Sequence, residues 1–434
     1  MQGTAASRSQ PSRWVSIGAA RKHLAGYSPV LVTITRDAAA PRILLFVAVC
    51  LVAANMRPTI TAVGPLIDQI GGDTGLSVAA LGLLAAVPLT AWGLVSPFAL
   101  QLSRRFGMSR VVLGSLFLLL AGTLVRSLVT PIAGLWIGTV LIGVALAIAN
   151  VLMPAVVKRD FPHRVPLMLG LYTALLGGVG AVASGVAVPL SRLGDAASGW
   201  RIALLVTGAA LLPLAIGAWA LATRGHHAAH LAAPGDGLSR RGIWAEPVAW
   251  LVACYMGLQA ATFYMMLTWL ASISVSIGRS EIAAGFDVMT FQVLTIAGPF
   301  VVPLLLRGRA RRWVPAALPV LGIAGVIGLI AVPAGVTAWV LPIGLASGAS
   351  LSMALTLMAE RARDHDSAAA LSGMAQSVGY LVAALGPVMF GWVHTATGSW
   401  MWSLVLLAVV LIAQGVVGLF AGRDRHVFEA RGSG

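Results

Sequence analysis

The chain has 434 residues, of which 58% are hydrophobic and only 10% are charged. A water-soluble domain carries about 25% charged residues, so this composition excludes a soluble globular protein. The formal net charge of +15 would suit a nucleic-acid-binding protein, but the positions of the charges, given below, argue against that class.

Twelve apolar segments follow one another along the chain. About 20 apolar residues cross the hydrocarbon core of a bilayer as a helix, and each segment has that length. The pattern therefore predicts an all-α polytopic membrane protein with twelve transmembrane helices. Spans 1 to 12 are predicted at residues 42–70, 77–102, 110–128, 131–156, 165–191, 200–223, 246–277, 281–306, 313–332, 335–359, 367–396 and 399–421.

Polar stretches divide the chain. Residues 1–41 are basic and lack the apolar core of a signal peptide, which predicts a disordered cytoplasmic tail. Residues 224–245 predict a flexible cytoplasmic linker between two six-helix bundles at 42–223 and 246–421, and residues 422–434 form a second tail. The histidines of the linker leave metal binding as an alternative there, although we expect neither a metal nor a cofactor.

Basic residues are concentrated on one side of the predicted membrane. With the N-terminus inside, cytoplasmic segments hold 24 of the 29 Lys and Arg residues. The external segments hold Arg126, Arg192, Arg201 and Arg279, and Arg57 lies within span 1. This asymmetry predicts that both termini are cytoplasmic. The expected location is a bacterial plasma membrane. The basic excess then contacts anionic lipids rather than nucleic acid.

The two halves are weakly similar at a shift of 203 residues. Ser77 at the start of span 2 corresponds to Ser280 at the start of span 8, and Gly170 in span 5 corresponds to Gly373 in span 11. Parallel repeats of six spans are typical of two-bundle transporters, whose substrate site lies between the bundles near the membrane midplane. The sequence therefore predicts two pseudo-symmetric bundles.

Arg57 is the strongest candidate for a binding residue. At 1.5 Å per residue it lies roughly 22 Å along span 1, beyond the midplane. Pro58 removes one helical hydrogen bond and allows the helix to bend, and a bent helix is tolerated where its freed groups line a polar cavity. A planar guanidinium in such a place suits a small anion. The alternative is an arginine that extends to the outer headgroups.

Other polar residues within the spans are candidates for the same pocket. Asn55 lies beside Arg57, and Asn150 and Pro154 share one face of span 4, where Pro154 is a second possible bend. The remaining predicted solute-binding side chains are Gln259 and Tyr264 in span 7, and Gln376 and Tyr380 in span 11.

Acidic residues are scarce within the spans. Asp287, about two turns inside span 8, is the one acid away from a span end. A proton-coupled carrier usually needs a buried group whose charge changes, so Asp287 is the candidate for a coupling proton. Contact with external water is the alternative.

Basic clusters follow spans 2 and 8. Arg104 and Arg105 lie in the first cluster, and Arg307 and Arg309 lie in the second. They are candidates for gating loops that hold neighbouring helix ends together. Simple anchoring to lipid headgroups is the alternative and is sufficient to explain them.

The first of these loops resembles a motif of the major facilitator superfamily, Gly-x-x-x-Asp-Arg-x-Gly. Residues 105–107 match, but Arg104 stands where the family has Asp, so the acid-dependent gating pair is not carried over. A narrower resemblance, to the cyanate and 2-nitroimidazole transporter branch, covers residues 42–421. It rests on residues 55–58, 64–66, 150–154, 158–162, 170–173, 257–259, 264, 269–270, 371–376, 379–380 and 386–387.

This resemblance implies the major facilitator fold and a secondary carrier that works by alternating access on a small anionic or strongly polar solute. Cyanate-like anions, small organic anions and nitroimidazole-like compounds are the expected solutes. The expected partners are that solute, the lipid bilayer and a possible coupling proton, and the expected state is a monomer. The alternatives are a broad-specificity drug efflux carrier of the same fold and a membrane sensor without flux. An enzyme is not expected, since no His-Glu-x-x-His zinc motif occurs.

Overall fold

The computed structural model describes residues 39–195, 198–224, 242–307 and 311–428. The predictions for residues 1–38, for most of the linker (225–241), for Arg309 and for residues 429–434 lie outside the described residues. The spans belong to one compact unit, Arg42–Gly434.

Every long regular element in the described ranges is an α-helix. The first half comprises α1 Ala39–Asn55, α2 Pro58–Thr61, α3 Val63–Thr74, α4 Val78–Phe106, α5 Met108–Leu128, α6 Ile132–Asp160, α7 Val165–Ser191, α8 Gly199–Ala209 and α9 Leu212–Ala222. The second comprises α10 Pro247–Ser276, α11 Glu281–Leu305, α12 Val314–Ala331, α13 Val336–Glu360, α14 His365–Thr397 and α15 Trp400–Ala421. Twelve helical segments among the described residues are long and apolar enough to cross a membrane, which confirms the predicted fold class.

Equivalent helices of the two halves begin in the same way. The Ser77 hydroxyl accepts a hydrogen bond from the Ala80 N–H at 3.3 Å, and the Ser280 hydroxyl accepts one from the Ala283 N–H at 3.3 Å. A serine at this position satisfies a helical N–H that has no partner within the helix. The serine that recurs at a shift of 203 residues therefore caps the first turn of both α4 and α11.

The halves pack together along two helix pairs, α4 with α14 and α7 with α11. In the sequence repeat, α4 corresponds to α11 and α7 corresponds to α14. Each helix pair at the interface is therefore the repeat equivalent of the other. The first pair is close enough to need a glycine, since a Cβ on Gly82 would lie 2.5 Å from the Pro387 carbonyl oxygen. Small residues permit such close approach between membrane helices.

One end of this interface carries polar contacts between the halves. We call it the distal contact, because it lies at the far end of the first span from Ala39. The Ser272 hydroxyl donates to Asp68 Oδ1 at 2.7 Å, and the Gln69 amide donates to Glu281 Oε2 at 3.0 Å. These bonds join α3 to the end of α10 and to the start of α11.

Candidate functional site

The first span is interrupted where Arg57 precedes Pro58. Helix α1 ends at Asn55 and α2 begins at Pro58, which has no N–H to continue the hydrogen-bond ladder. The Arg57 carbonyl instead accepts from the Thr61 N–H at 3.0 Å and so starts the next turn. Arg57 therefore lies between two helices rather than within a continuous one.

The Arg57 side chain reaches across to the second half of the protein. Its Nη1 donates to the Tyr264 hydroxyl oxygen at 3.0 Å. Its guanidinium carbon lies 5.8 Å from the Trp92 ring centre and 5.9 Å from the Phe263 ring centre. The Tyr380 ring meets Trp92 edge-on at 5.1 Å. We call these five residues the Arg57 site.

Helices from both halves build the Arg57 site. The interrupted first span and α4 supply Arg57 and Trp92, whereas α10 and α14 supply the other three rings. Space for the arginine comes from α7, because a Cβ on Gly180 would lie 2.8 Å from the Arg57 Cβ. The site is therefore a product of the interface between the halves.

The charge of Arg57 has no acidic partner in this site. None of the ion pairs among the described residues includes Arg57. The Trp92 indole N–H is buried and has no hydrogen-bond acceptor in the described chain. An indole N–H can only donate. The site thus offers a cation, an N–H donor and aromatic faces, which is the chemistry of a receptor for a small solute with electron-rich oxygen atoms.

Trp92 and Phe263 are site residues that the sequence analysis missed. Tryptophan is common at membrane interfaces, yet Trp92 lies near the middle of its span. A tryptophan this far from either membrane interface is unusual, and its depth could have identified Trp92 as a candidate from the sequence. Phe263 carries no comparable signal, because an apolar ring in an apolar span is ordinary.

Several predicted binding residues do not join the Arg57 site. Asn150 is half-buried, and no hydrogen bond joins it to this site in the described chain. Three predicted amide side chains donate to acceptors on their own helix, namely Asn55 to the Leu51 carbonyl at 2.7 Å, Gln259 to Met256 Sδ at 3.2 Å and Gln376 to Ser372 Oγ at 2.8 Å. Pro154 lies within the continuous helix α6, so the interruption at Pro58 has no counterpart there.

Asp287 lies away from the Arg57 site and is ion-paired. Its carboxylate is 1% exposed and lies 2.8 Å from Arg279 Nε. The Thr337 hydroxyl also donates to it at 2.8 Å. The ion pair joins α11 to the loop before it, and the hydrogen bond from Thr337 joins α11 to α13.

Arg104, Arg105 and Arg307 make no ion pair in the described chain, whereas Arg311 in the loop after span 8 pairs with Glu360 at the end of α13. Arg104, Arg105 and Arg307 are exposed, and the Arg105 guanidinium lies 5.4 Å from the Phe106 ring centre. No ion pair connects the two halves through these three arginines, and Arg309 lies outside the described residues.

Arg126 is a buried arginine within a membrane-spanning helix, and its assignment to an external segment was wrong. It lies in the last turn of α5 and is 2% exposed. Its Nη1 donates to the Thr59 carbonyl oxygen at 2.8 Å. It also lines a cavity of about 30 Å³, shared with Tyr264 and Thr268. Position near the end of an apolar segment predicts an interfacial arginine, and only the packing of neighbouring helices buries this one.

Comparison with known proteins identifies the family. The model of the Major Facilitator Superfamily matches residues 45–387. The chain is 38% identical over 387 residues to the 2-nitroimidazole transporter of Escherichia coli (strain K12), covering 89% of this chain and 97% of that protein. It is 28% identical to the cyanate transport protein CynX of the same organism, covering 83% of this chain and 93% of that protein.

A solved structure shares the fold. A bacterial homolog of the human lysosomal transporter Spinster superposes with a TM-score of 0.76 at 16% identity, covering 88% of this chain and 97% of that chain. The family match spans most of the residues that form the twelve helices. The chain therefore belongs to the Major Facilitator Superfamily and is a multi-pass membrane transporter of the secondary type, not an enzyme.

Proposed function

We propose that this transporter moves a small anionic or strongly polar solute by alternating access, and that the solute binds at Arg57. The observation that carries the proposal is a half-buried guanidinium that has no acidic partner among the described residues and donates a hydrogen bond to Tyr264 of the opposite half. A charge within a membrane costs roughly 2.5–3.5 kcal/mol or more, so a solute that neutralises it gains binding energy.

The rings around Arg57 narrow the class of solute. Trp92 and Phe263 offer aromatic faces beside the cation, which suits a planar solute whose oxygen atoms meet the guanidinium. Nitroimidazole-like compounds have a flat ring that can stack on the aromatic side chains and nitro oxygens that can accept from the guanidinium. Cyanate-like anions would bind through the positive charge of Arg57 alone. The two relatives are named as transporters of 2-nitroimidazole and of cyanate. We therefore propose both classes as solutes of this chain.

The aromatic lining also favours a second candidate, a broad-specificity efflux carrier of hydrophobic drugs. Such a carrier gains little from an unpaired arginine, so the charge at the site favours the first candidate. A drug-susceptibility panel on a deletion strain separates the two, since only the second predicts sensitivity to many unrelated apolar compounds.

A ligand screen on the purified protein tests the proposal. A ligand that binds the folded state raises the melting temperature. We expect a rise with cyanate, small carboxylates or 2-nitroimidazole, and none in an Arg57→Gln variant. A hit should then be followed by its uptake into proteoliposomes, because a sensor would bind without flux. Stabilisation of both proteins alike by every hit would remove Arg57 from the site.

Substitution of Trp92 should separate the two solute classes. In Trp92→Leu, we expect the affinity for 2-nitroimidazole to fall about tenfold, because an aromatic stacking contact of about 0.5–1.5 kcal/mol and an N–H donor are lost. The affinity for cyanate should fall less, since the guanidinium remains. Titration of each solute by thermal shift measures both. Equal losses for the two solutes would contradict stacking on Trp92.

Alternating access requires the distal contact to open. We expect Ser272→Ala to favour the open state, because a hydrogen bond to a carboxylate contributes about 1.5–3 kcal/mol. The measurement is the labelling rate of a cysteine placed at Ile70, which is buried beside the distal contact and makes none of its hydrogen bonds, using a membrane-impermeant thiol reagent and a background without Cys50 and Cys254. We expect about a tenfold faster rate. Ser276→Ala is the matched control, since that hydroxyl bonds to its own helix at Ile273.

The remaining parts of the proposal follow from charge and topology. The excess of Lys and Arg in alternate loops supports a topology in which both termini lie on the cytoplasmic side of a bacterial plasma membrane. We propose a monomer as the working unit, because the single compact unit Arg42–Gly434 contains both halves of the Arg57 site.

A further inference from the structure

We infer that the cavity beside Arg126 is a second binding site, which takes one small inorganic anion such as a halide or a linear pseudohalide. The site is distinct from the Arg57 site and does not depend on what that site binds. It is formed by Arg126 and Thr59, with Thr139 and Thr268 on the same cavity wall.

The charge of Arg126 is uncompensated in the described chain. No ion pair among the described residues includes Arg126, although the side chain is 2% exposed. An isolated buried charge is costly unless it is paired. Arginine stays protonated in proteins, so it does not escape the cost by losing its proton. A bound anion supplies the missing charge.

Unused hydrogen-bond donors lie together at this cavity. Of the guanidinium nitrogens, Nη1 bonds to the Thr59 carbonyl, while Nε and Nη2 have no partner in the described chain. The Thr59 hydroxyl is also buried and without a partner there. The bond through Nη1 fixes the plane of the guanidinium, so its other donors keep one direction. Buried donors are nearly always paired, and three unpaired ones at one cavity indicate a missing acceptor.

The size of the cavity limits the ligand. Its volume of about 30 Å³ holds about two water molecules, since one needs roughly 10–15 Å³ measured in this way. A halide or a linear triatomic anion fits this space, whereas a nitroimidazole or gluconate does not. Tyr264 lines the cavity and accepts from Arg57, so the two sites are neighbours that share one side chain.

Thermal shift with chloride and thiocyanate tests the inference, with potassium gluconate at equal ionic strength as the reference. For wild type we expect a saturable rise in Tm, roughly 3 °C at a hundredfold excess over Kd. Arg57→Gln should show the same chloride response, which separates this site from the proposed solute site. Arg126→Met should show none. Cyanate should also raise the Tm of wild type. If Arg57→Gln loses the cyanate response but keeps the chloride response, cyanate binds at the Arg57 site and chloride binds beside Arg126.

Thr59→Val supplies a milder variant that keeps the helix and its carbonyl. Losing one hydrogen bond to the anion should raise the half-saturating chloride concentration about tenfold. Equal chloride curves for wild type, Arg126→Met and Thr59→Val would overturn the inference and leave Arg126 as a tether for Thr59. An identical rise in gluconate would overturn it too, as an effect of ionic strength. If Arg126→Met does not fold, the Thr59→Val curve alone decides.

Discussion

Arg57→Lys is expected to reduce solute transport at least tenfold without lowering the amount of protein in the membrane. Lysine keeps the positive charge but lacks the planar fork, so it does not reproduce the bond to Tyr264 together with a bond to the solute. A hydrogen bond to a charged group contributes about 1.5–3 kcal/mol, which corresponds to tenfold or more in affinity. Uptake of labelled solute into proteoliposomes, normalised to reconstituted protein, measures the effect.

Two further variants show whether the loss belongs to the site. Tyr264→Phe keeps the ring and removes the acceptor, so we expect a smaller loss than in Arg57→Lys. Arg192→Lys is the matched control, because this arginine is exposed and should tolerate the change. Wild-type flux in the Arg57→Lys protein would show that the guanidinium is not part of the solute site.

Arg279→Met is expected to destabilise the protein strongly, by about 3–5 kcal/mol. The change leaves the Asp287 carboxylate, which is 1% exposed, without its cation. The bond from Thr337 remains but carries no positive charge. A lower melting temperature and a reduced yield of folded protein are the readouts. Arg201→Met is a comparison variant, since the Asp73 carboxylate in that ion pair is 24% exposed and more hydrated.

Removing both members of the pair distinguishes a structural role from proton coupling. A buried ion pair can often be replaced by apolar residues at little cost, so Arg279→Met with Asp287→Leu should recover most of the lost stability. If Asp287 is the coupling group, this stable double variant exchanges solute but no longer accumulates it against a gradient when a pH difference is imposed. Accumulation at the wild-type level would exclude Asp287 from coupling. Failure to recover stability would contradict the account of the pair itself.

Local properties of the chain determined the architecture. The length and apolarity of each segment predicted the twelve helices, because crossing a bilayer demands both within one continuous stretch. Ser77 and Ser280 marked two helix starts, since a cap acts on its own first turn. The helix break at Arg57 followed from the missing N–H of Pro58, which is equally local.

Only the tertiary structure decided which side chains share a site. Asn55, Gln259 and Gln376 are polar and lie within spans, yet each bonds to its own helix, whereas Trp92 and Phe263 meet Arg57. Arg126 looked like an interfacial residue and is instead enclosed. Apolarity and residue spacing describe the side chains on one helix. Whether such a side chain is buried or hydrogen-bonded depends on which neighbouring helices pack against it, and the sequence does not give this packing.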